Sequence, residues 1–156
     1  NQASSELQLS NNAKARAANQ DAVATKPARI LVVEDSAFFR KIVMGALQQG
    51  GHTVTNAGDG LQAMDILNRA TEPFDMIVSD IEMPRMNGFQ FATAVRQNAL
   101  HGRTPLLALS SKSDRNSVAQ GTKAGFDLYL EKLKPEILLQ AVTELTQASM
   151  AKKVAA

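Results

Sequence analysis

Four short, unbroken apolar runs, at residues 30–33, 76–78, 106–109 and 128–130, limit what this chain can fold into more than any other feature of it. A continuous run of three or four apolar residues fits a strand buried on both faces, as in a parallel sheet, and is too short for a buried helix. Thr53–Ala57 is a weaker fifth strand. Helical periods lie between the runs. Phe39, Ile42, Val43, Ala46 and Leu47 form one stripe, with Ser36 as its cap and Gly50-Gly51 as its stop. Asp59 and Gln62 read as a capping box ahead of Leu61, Met64 and Leu67, and Asn87-Gly88 precedes Phe91, Ala92 and Val95. A polar helix at 114–124 has the weakest stripe. Pro135 suits the first turn of a last helix carrying Leu138, Ala141, Val142 and Leu145. Five β–α units in sequence predict an α/β fold: a doubly wound five-stranded parallel sheet with helices on both faces.

The ends of the chain read differently. Residues 1–27 hold no aromatic residue and only Leu7, Leu9 and Val23 as sizeable apolar groups, too little burial to offset the cost of ordering. They are expected to be a linker or loosely helical tail, with 28–149 the folded domain and 150–156 a C-terminal tail. A chain of 156 residues has room for one such domain, and its start at Asn1 reads as a piece cut from a longer protein. The absence of cysteine excludes disulfides, thiolate metal sites and cysteine nucleophiles. The two histidines, His52 and His101, stand far apart in predicted turns, which argues against a zinc site or a serine–histidine triad. A formal charge of +2 without a basic run gives no nucleic-acid footprint. No stretch approaches the roughly 18 apolar residues of a membrane span, and residues 1–30 lack a signal-peptide core, so a cytoplasmic protein without membrane insertion is expected.

In doubly wound sheets, ligands sit at the carboxyl ends of the strands. Here the first strand ends in Glu34-Asp35, the third in Ser79-Asp80 with Glu82 beyond, the fourth in Ser110-Ser111 and the fifth in Glu131-Lys132. Three carboxylates brought together repel one another, and without a cation one is pushed toward protonation. Hard oxygen donors with no His or Cys select Mg²⁺, with Mn²⁺ as the alternative ion. Lys132 and Ser110 supply a cation and a hydrogen-bond donor for an anion on that metal, which together are the requirements of phosphoryl transfer. Singly, each residue has a plainer role. Asp80 could cap a helix, Glu34 and Asp35 could favour a helix N-terminus, Lys132 could lie on the surface and Ser110 in a turn. At four successive strand ends together, the plainer roles give way.

Residues 29–145 resemble a response-regulator receiver domain of two-component signalling, which has a (βα)5 flavodoxin-like fold. The resemblance rests on Arg29-Ile-Leu-Val-Val-Glu-Asp-Ser36, Met76-Ile-Val-Ser-Asp-Ile-Glu-Met-Pro84, Met86-Asn-Gly88, Pro105-Leu-Leu-Ala-Leu-Ser110 and Gly125-Phe-Asp-Leu-Tyr-Leu-Glu-Lys132. The intervals of 30, 19 and 3 residues between Asp80, Ser110, Tyr129 and Lys132 fit the family. The resemblance implies that Asp80 is the phosphoacceptor, attacking a phosphohistidine on a histidine kinase or histidine phosphotransfer domain. Asp35 and Asp80 would ligate Mg²⁺ directly, Glu34 through water and Glu82 through its backbone carbonyl. Ser110 and Lys132 would hold the phosphoryl group. Tyr129 resembles the switch aromatic that turns inward and repacks the face of the fourth helix and fifth strand. Such a domain catalyses its own phosphorylation and dephosphorylation only, and is not otherwise an enzyme. One departure concerns Leu133, which stands where the family has proline after a cis peptide. A cis bond before a non-proline residue costs about 3 kcal/mol. Glu82 and Lys112, each two residues beyond a site residue, would pair across the pocket mouth and slow hydrolysis.

Ser36-Ala-Phe-Phe-Arg-Lys41, Ser79-Asp-Ile-Glu-Met-Pro84, Gly88-Phe-Gln-Phe91 and the Lys132-Leu133 junction most resemble the C-terminal receiver of chemotaxis-type hybrid histidine kinases, whose other domains would then be partners. The alternative is a stand-alone single-domain response regulator or phosphate sink. An inactive receiver serving only as an interaction module is disfavoured because the chemical residues are all present. A small phosphohydrolase with an aspartate nucleophile would need a second aspartate where Glu82 stands. A flavodoxin-like electron carrier would need a first loop that cradles phosphate, and Glu34-Asp35 would repel one.

Overall fold

A computed structural model of the chain describes residues 27–111, 114–132 and 135–155. Five strands, β1 (Arg29–Val33), β2 (Thr53–Ala57), β3 (Met76–Asp80), β4 (Leu106–Ser110) and β5 (Leu128–Glu131), alternate with five helices, α1 (Ala37–Gln49), α2 (Gly60–Arg69), α3 (Gly88–Gln97), α4 (Arg115–Ala124) and α5 (Pro135–Ala155). The strands form one parallel sheet in the order β2-β1-β3-β4-β5. The strand order reverses between β1 and β3, which opens the crevice beyond their carboxyl ends. This is the expected doubly wound flavodoxin-like sheet.

Strand alternation sorts the core into two layers. Leu31, Val33, Ile77, Leu106 and Ala108 meet Ala63 and Leu67 of α2 and Phe91, Ala92 and Val95 of α3. Ile30, Val32, Met76, Val78, Leu107 and Leu109 meet Val43 and Leu47 of α1 and Leu138, Ala141 and Val142 of α5. Burial on both faces is complete for β3 and β4 and nearly so for β1, but β5 is only half-buried because it is an edge strand with a neighbour on one side.

Local signals account for most helix starts. Ser36, Asp59, Asn87 and Asp114 cap α1 to α4, each accepting a backbone N–H three residues on. Asn87 and Gln90 form a full capping box. The box expected at Asp59 is altered: Gln62 reaches back to the N–H of Gly58 instead of that of Asp59. The stripes are also narrower than expected. Ile42 and Leu61 are 37% and 48% exposed, and Ala63 takes the inward place in α2 beside Gly60 and Leu67. Helix α5 runs through Ala155, past the boundary at 149, because nothing after Pro135 is a helix breaker. Residues 1–26 of the expected linker at 1–27, Lys112 and Leu133 lie outside the described residues.

Both histidines sit at the amino-terminal edge of the sheet, opposite the crevice. His101 is fully buried; its Nε2 accepts the N–H of Phe74 at 3.2 Å while Nδ1 lies 3.2 Å from Asn98 Oδ1, so the ring is neutral with its proton on Nδ1. His52 Nδ1 accepts the N–H of Ala28 at 3.1 Å. Burial lowers the pKa of both rings; Arg29 adds to the effect at His101, and Asp75 opposes it at His52. A histidine with a lowered folded pKa destabilises the fold as the pH drops below its ordinary value of 6.5, where the unfolded chain takes up the proton first. This edge should therefore lose stability between pH 7.5 and 5.5 in urea unfolding, read as the difference between wild type and a His101 variant so that the other titrating groups cancel. His101→Gln, which keeps an acceptor for Phe74 but does not titrate, should shrink that loss.

Candidate functional site

The carboxyl ends of β1 and β3 bring Glu34, Asp35 and Asp80 together. One carboxylate oxygen of each lies within 4.8 Å of the others. Glu34 and Asp80 are each 2% exposed, whereas Asp35 faces solvent. The turn after β1 builds one wall: the N–H of Ser36 donates to Glu34 Oε1 at 3.2 Å as Ser36 caps α1. The turn after β3 builds the other. Asp80 Oδ1 accepts the N–H of Ile81 at 2.8 Å and that of Glu82 at 3.3 Å. The loop then folds back, and Gly88 donates to the carbonyl of Ile81 at 2.8 Å.

Lys132, just beyond β5, closes the group. Its Nζ stands 3.1 Å from Asp80 Oδ2 and 3.1 Å from Glu34 Oε1, and its backbone N–H donates to the carbonyl of Ser110 at 3.1 Å. The contact with Asp80 is an ion pair without the alignment of a hydrogen bond. One ammonium serves two buried carboxylates, so negative charge is left over. Burial, and then the charge of Glu34, push the Asp80 carboxyl up to about 7 despite Lys132 and the Glu82 N–H. The Lys132 pKa is likewise raised: burial works against its charge, and Asp80 and Glu34 outweigh that.

The other expected residues take distinct places. Ser110 is buried at the end of β4, one step beyond Leu109, the register partner of Asp80. Tyr129 lies in β5 opposite Ala108, with a buried hydroxyl that has no hydrogen-bond partner among the described residues. The Glu82 side chain stays outside the acidic group; it is exposed and accepts the Ser111 hydroxyl at 3.3 Å. Its expected partner Lys112 lies outside the described residues.

Three participants escaped the sequence reading. Phe39, taken for core, places its ring centroid 4.8 Å from Lys132 Nζ. Arg40 donates to the carbonyl of Glu34 at 3.0 Å, and Arg85, in the left-handed region at φ 69°, pairs with Asp59 across two rim loops. Periodicity marks Phe39 as apolar but cannot say that its ring meets an ammonium, and no spacing rule links 59 to 85.

A family profile described as "Response regulator receiver domain" matches residues 30–143. Among curated proteins, the gliding motility regulatory protein of Myxococcus xanthus is 35% identical over 127 residues, 80% of this chain and 16% of that protein. The sensor histidine kinase CheAY of Helicobacter pylori is 32% identical over 103 residues, 66% of this chain and 13% of that one. The chain thus spans less than a fifth of the length of either relative. The solved structure of the chemotaxis response regulator CheY4 of Vibrio cholerae superposes with a TM-score of 0.71 at 35% identity, covering 77% of this chain and 99% of CheY4. No helix among the described residues is long and apolar enough to cross a membrane. The chain belongs to the receiver domains of two-component response regulators.

Proposed function

We propose that Asp80 accepts a phosphoryl group from a phosphohistidine on a histidine kinase or phosphotransfer domain, and that the domain relays or gates a signal through the resulting change. The observation that carries this reading is the placement of Asp80, Glu34 and Asp35 with Lys132 at the switch point of the sheet. The donor set is all oxygen and carries more negative charge than Lys132 neutralises, which fits a hard divalent cation. Mg²⁺ would be held by Glu34, Asp35, Asp80 and the backbone carbonyl of Glu82, and would supply charge neutralisation to the transferring group and its nucleophile.

The chain's own residues do the rest. A carboxylate oxygen of Asp80 attacks phosphorus as the bond to the imidazole nitrogen breaks, and the imidazole leaves with the electron pair. Two backbone N–H groups fix the carboxylate's orientation, so it spends no freedom on reaching the phosphorus. Lys132 then exchanges a carboxylate for a phosphoryl oxygen, and the Ser110 hydroxyl donates to the same group. Phosphorylation adds about two negative charges here, enough to draw both residues in. The buried Tyr129 hydroxyl, on the strand between Ser110 and Lys132, couples that movement to the face of α4 and β5.

The residues at 36–41 and the likeness to CheAY favour the terminal receiver of a chemotaxis hybrid kinase. The near-complete coverage of CheY4 favours a stand-alone regulator as the second reading. The phosphoacceptor is tested by intact mass after incubation with a small acyl phosphate and Mg²⁺. One added phosphoryl group on the wild type and none on Asp80→Asn is expected. A folded wild type that gains nothing, or a variant that gains equally, overturns the assignment.

A further inference from the structure

We infer that Phe39 is a positioning residue for Lys132, holding the ammonium over its ring so that it points into the acidic site. This rests on the reading of Asp80 and Lys132 as phosphoryl-transfer residues. The ammonium is enclosed on three sides: by Glu34 Oε1 and Asp80 Oδ2, each at 3.1 Å, and by the Phe39 ring at 4.8 Å from its centroid. A cation at that distance is attracted by the negative ring face, more strongly where water is excluded, and the Lys132 side chain is only 12% exposed.

The ring is placed by the same turn that places Glu34. Ser36 gives its N–H to Glu34 Oε1 and takes the N–H of Phe39 on its hydroxyl at 3.4 Å. Phe38, 70% exposed, stands edge-on to Phe39 with centroids 5.5 Å apart and braces it from the solvent side. Phe39 is the one neighbour of the ammonium in this set whose attraction does not depend on the state of a carboxylate. When Asp80 becomes an acyl phosphate its oxygen ceases to be an anion, and Lys132 must find the phosphoryl oxygens rather than collapse onto Glu34 or turn to solvent. The ring face holds it in place through that exchange.

Three forms of the full chain decide the matter: wild type, Phe39→Leu, which keeps apolar bulk, and Phe39→Tyr, which keeps the ring. The first readout is the Lys132 ε-methylene proton shift in lysine-labelled protein, assigned by its disappearance in Lys132→Arg. It should lie upfield of the other lysines in wild type and Phe39→Tyr and return among them in Phe39→Leu. The second is the rate of mass gain with a small acyl phosphate and Mg²⁺. It should fall by about 5- to 30-fold in Phe39→Leu, the range from an exposed to a shielded cation–π contact, and stay near wild type in Phe39→Tyr. An unshifted Lys132 signal in the wild type overturns the inference, as do equal rates for the two variants. If the wild type takes up no phosphoryl group, it is the function of Asp80 that fails, and the shift alone then decides the role of Phe39.

Discussion

Gly88→Ala should destabilise the domain by about 3 kcal/mol or more and abolish metal-dependent stabilisation with it. The backbone angles at Gly88 suit any residue, since the glycines with positive φ are Gly51 and Gly125. The constraint is space. A Cβ at position 88 would press into the carbonyl oxygen of Asp80 and lie 2.7 Å from Ile81 Cα. Both are backbone atoms, tied down by the β3 ladder and by the Gly88 N–H bond to the Ile81 carbonyl. Relief would require moving the start of α3 or the end of β3, and the latter carries Asp80. Thermal melts with and without Mg²⁺ measure both effects, and the midpoint should fall by about 10 °C or more. Gly60→Ala is the control. Its Cβ would have Met86 side-chain atoms as nearest neighbours, at 3.0–3.1 Å, so a shift of a few tenths of an ångström relieves it, and alanine gains helix propensity over glycine. That variant should melt within a few degrees of wild type. Equal losses in the two would mean that the tight approach of α3 to Asp80 does not exist.

The contrast between these glycines marks where the sequence stops being informative. Strands β1, β3 and β4 were legible because they are buried on both faces, so their composition is nearly all apolar and needs no context. Glu34, Asp35, Asp80, Ser110 and Lys132 were legible for a related reason: in a doubly wound sheet, a polar residue directly after such a run falls at one rim. What stayed hidden depends on contacts between residues distant in the chain. His101 looked like a turn residue, yet it is buried because the segment before β3 offers the Phe74 N–H to it. Arg96, which no motif singles out, donates to the carbonyls of Gly102, Thr104 and Gly125 and pairs with Asp127, stapling α3 to the segments before β4 and β5. Phe39 belonged by period to the inward stripe, but the first turn of α1 projects over the site, so its ring meets Lys132 instead. Periodicity reports which face a residue takes, not what waits there.

Asp80→Asn should make the metal-free domain more stable at pH 8 while abolishing phosphorylation. Asp80 and Glu34 are buried side by side with a single ammonium between them, so the wild type folds against unneutralised charge. The sign follows from the raised pKa. With a carboxyl at about 7 in the folded state against an ordinary 3.8, the fold holds a proton that the unfolded chain gives up. Stability from this group is complete below the unfolded value and is lost as the pH rises through the folded one. Three units at about 1.4 kcal/mol each set an upper limit near 4 kcal/mol, and coupling to Glu34 and Lys132 brings the expected gain to roughly 2–4 kcal/mol. Asparagine keeps an acceptor for the N–H groups of Ile81 and Glu82 and leaves Lys132 its bond to Glu34, while its NH₂ takes the place of the oxygen beside the ammonium and returns part of the gain. The advantage should be largest at pH 8, with a melting point higher by on the order of 10 °C, and should vanish toward pH 4, where both forms are neutral at this position. Mg²⁺ should then raise the melting point of the wild type and leave that of the variant nearly unchanged, because a ligand that binds only the native state stabilises only a chain that retains its site. A variant that melts lower than wild type at pH 8 without metal would mean that Lys132 already balances the pair, and the case for a cation at this site would lose its electrostatic basis.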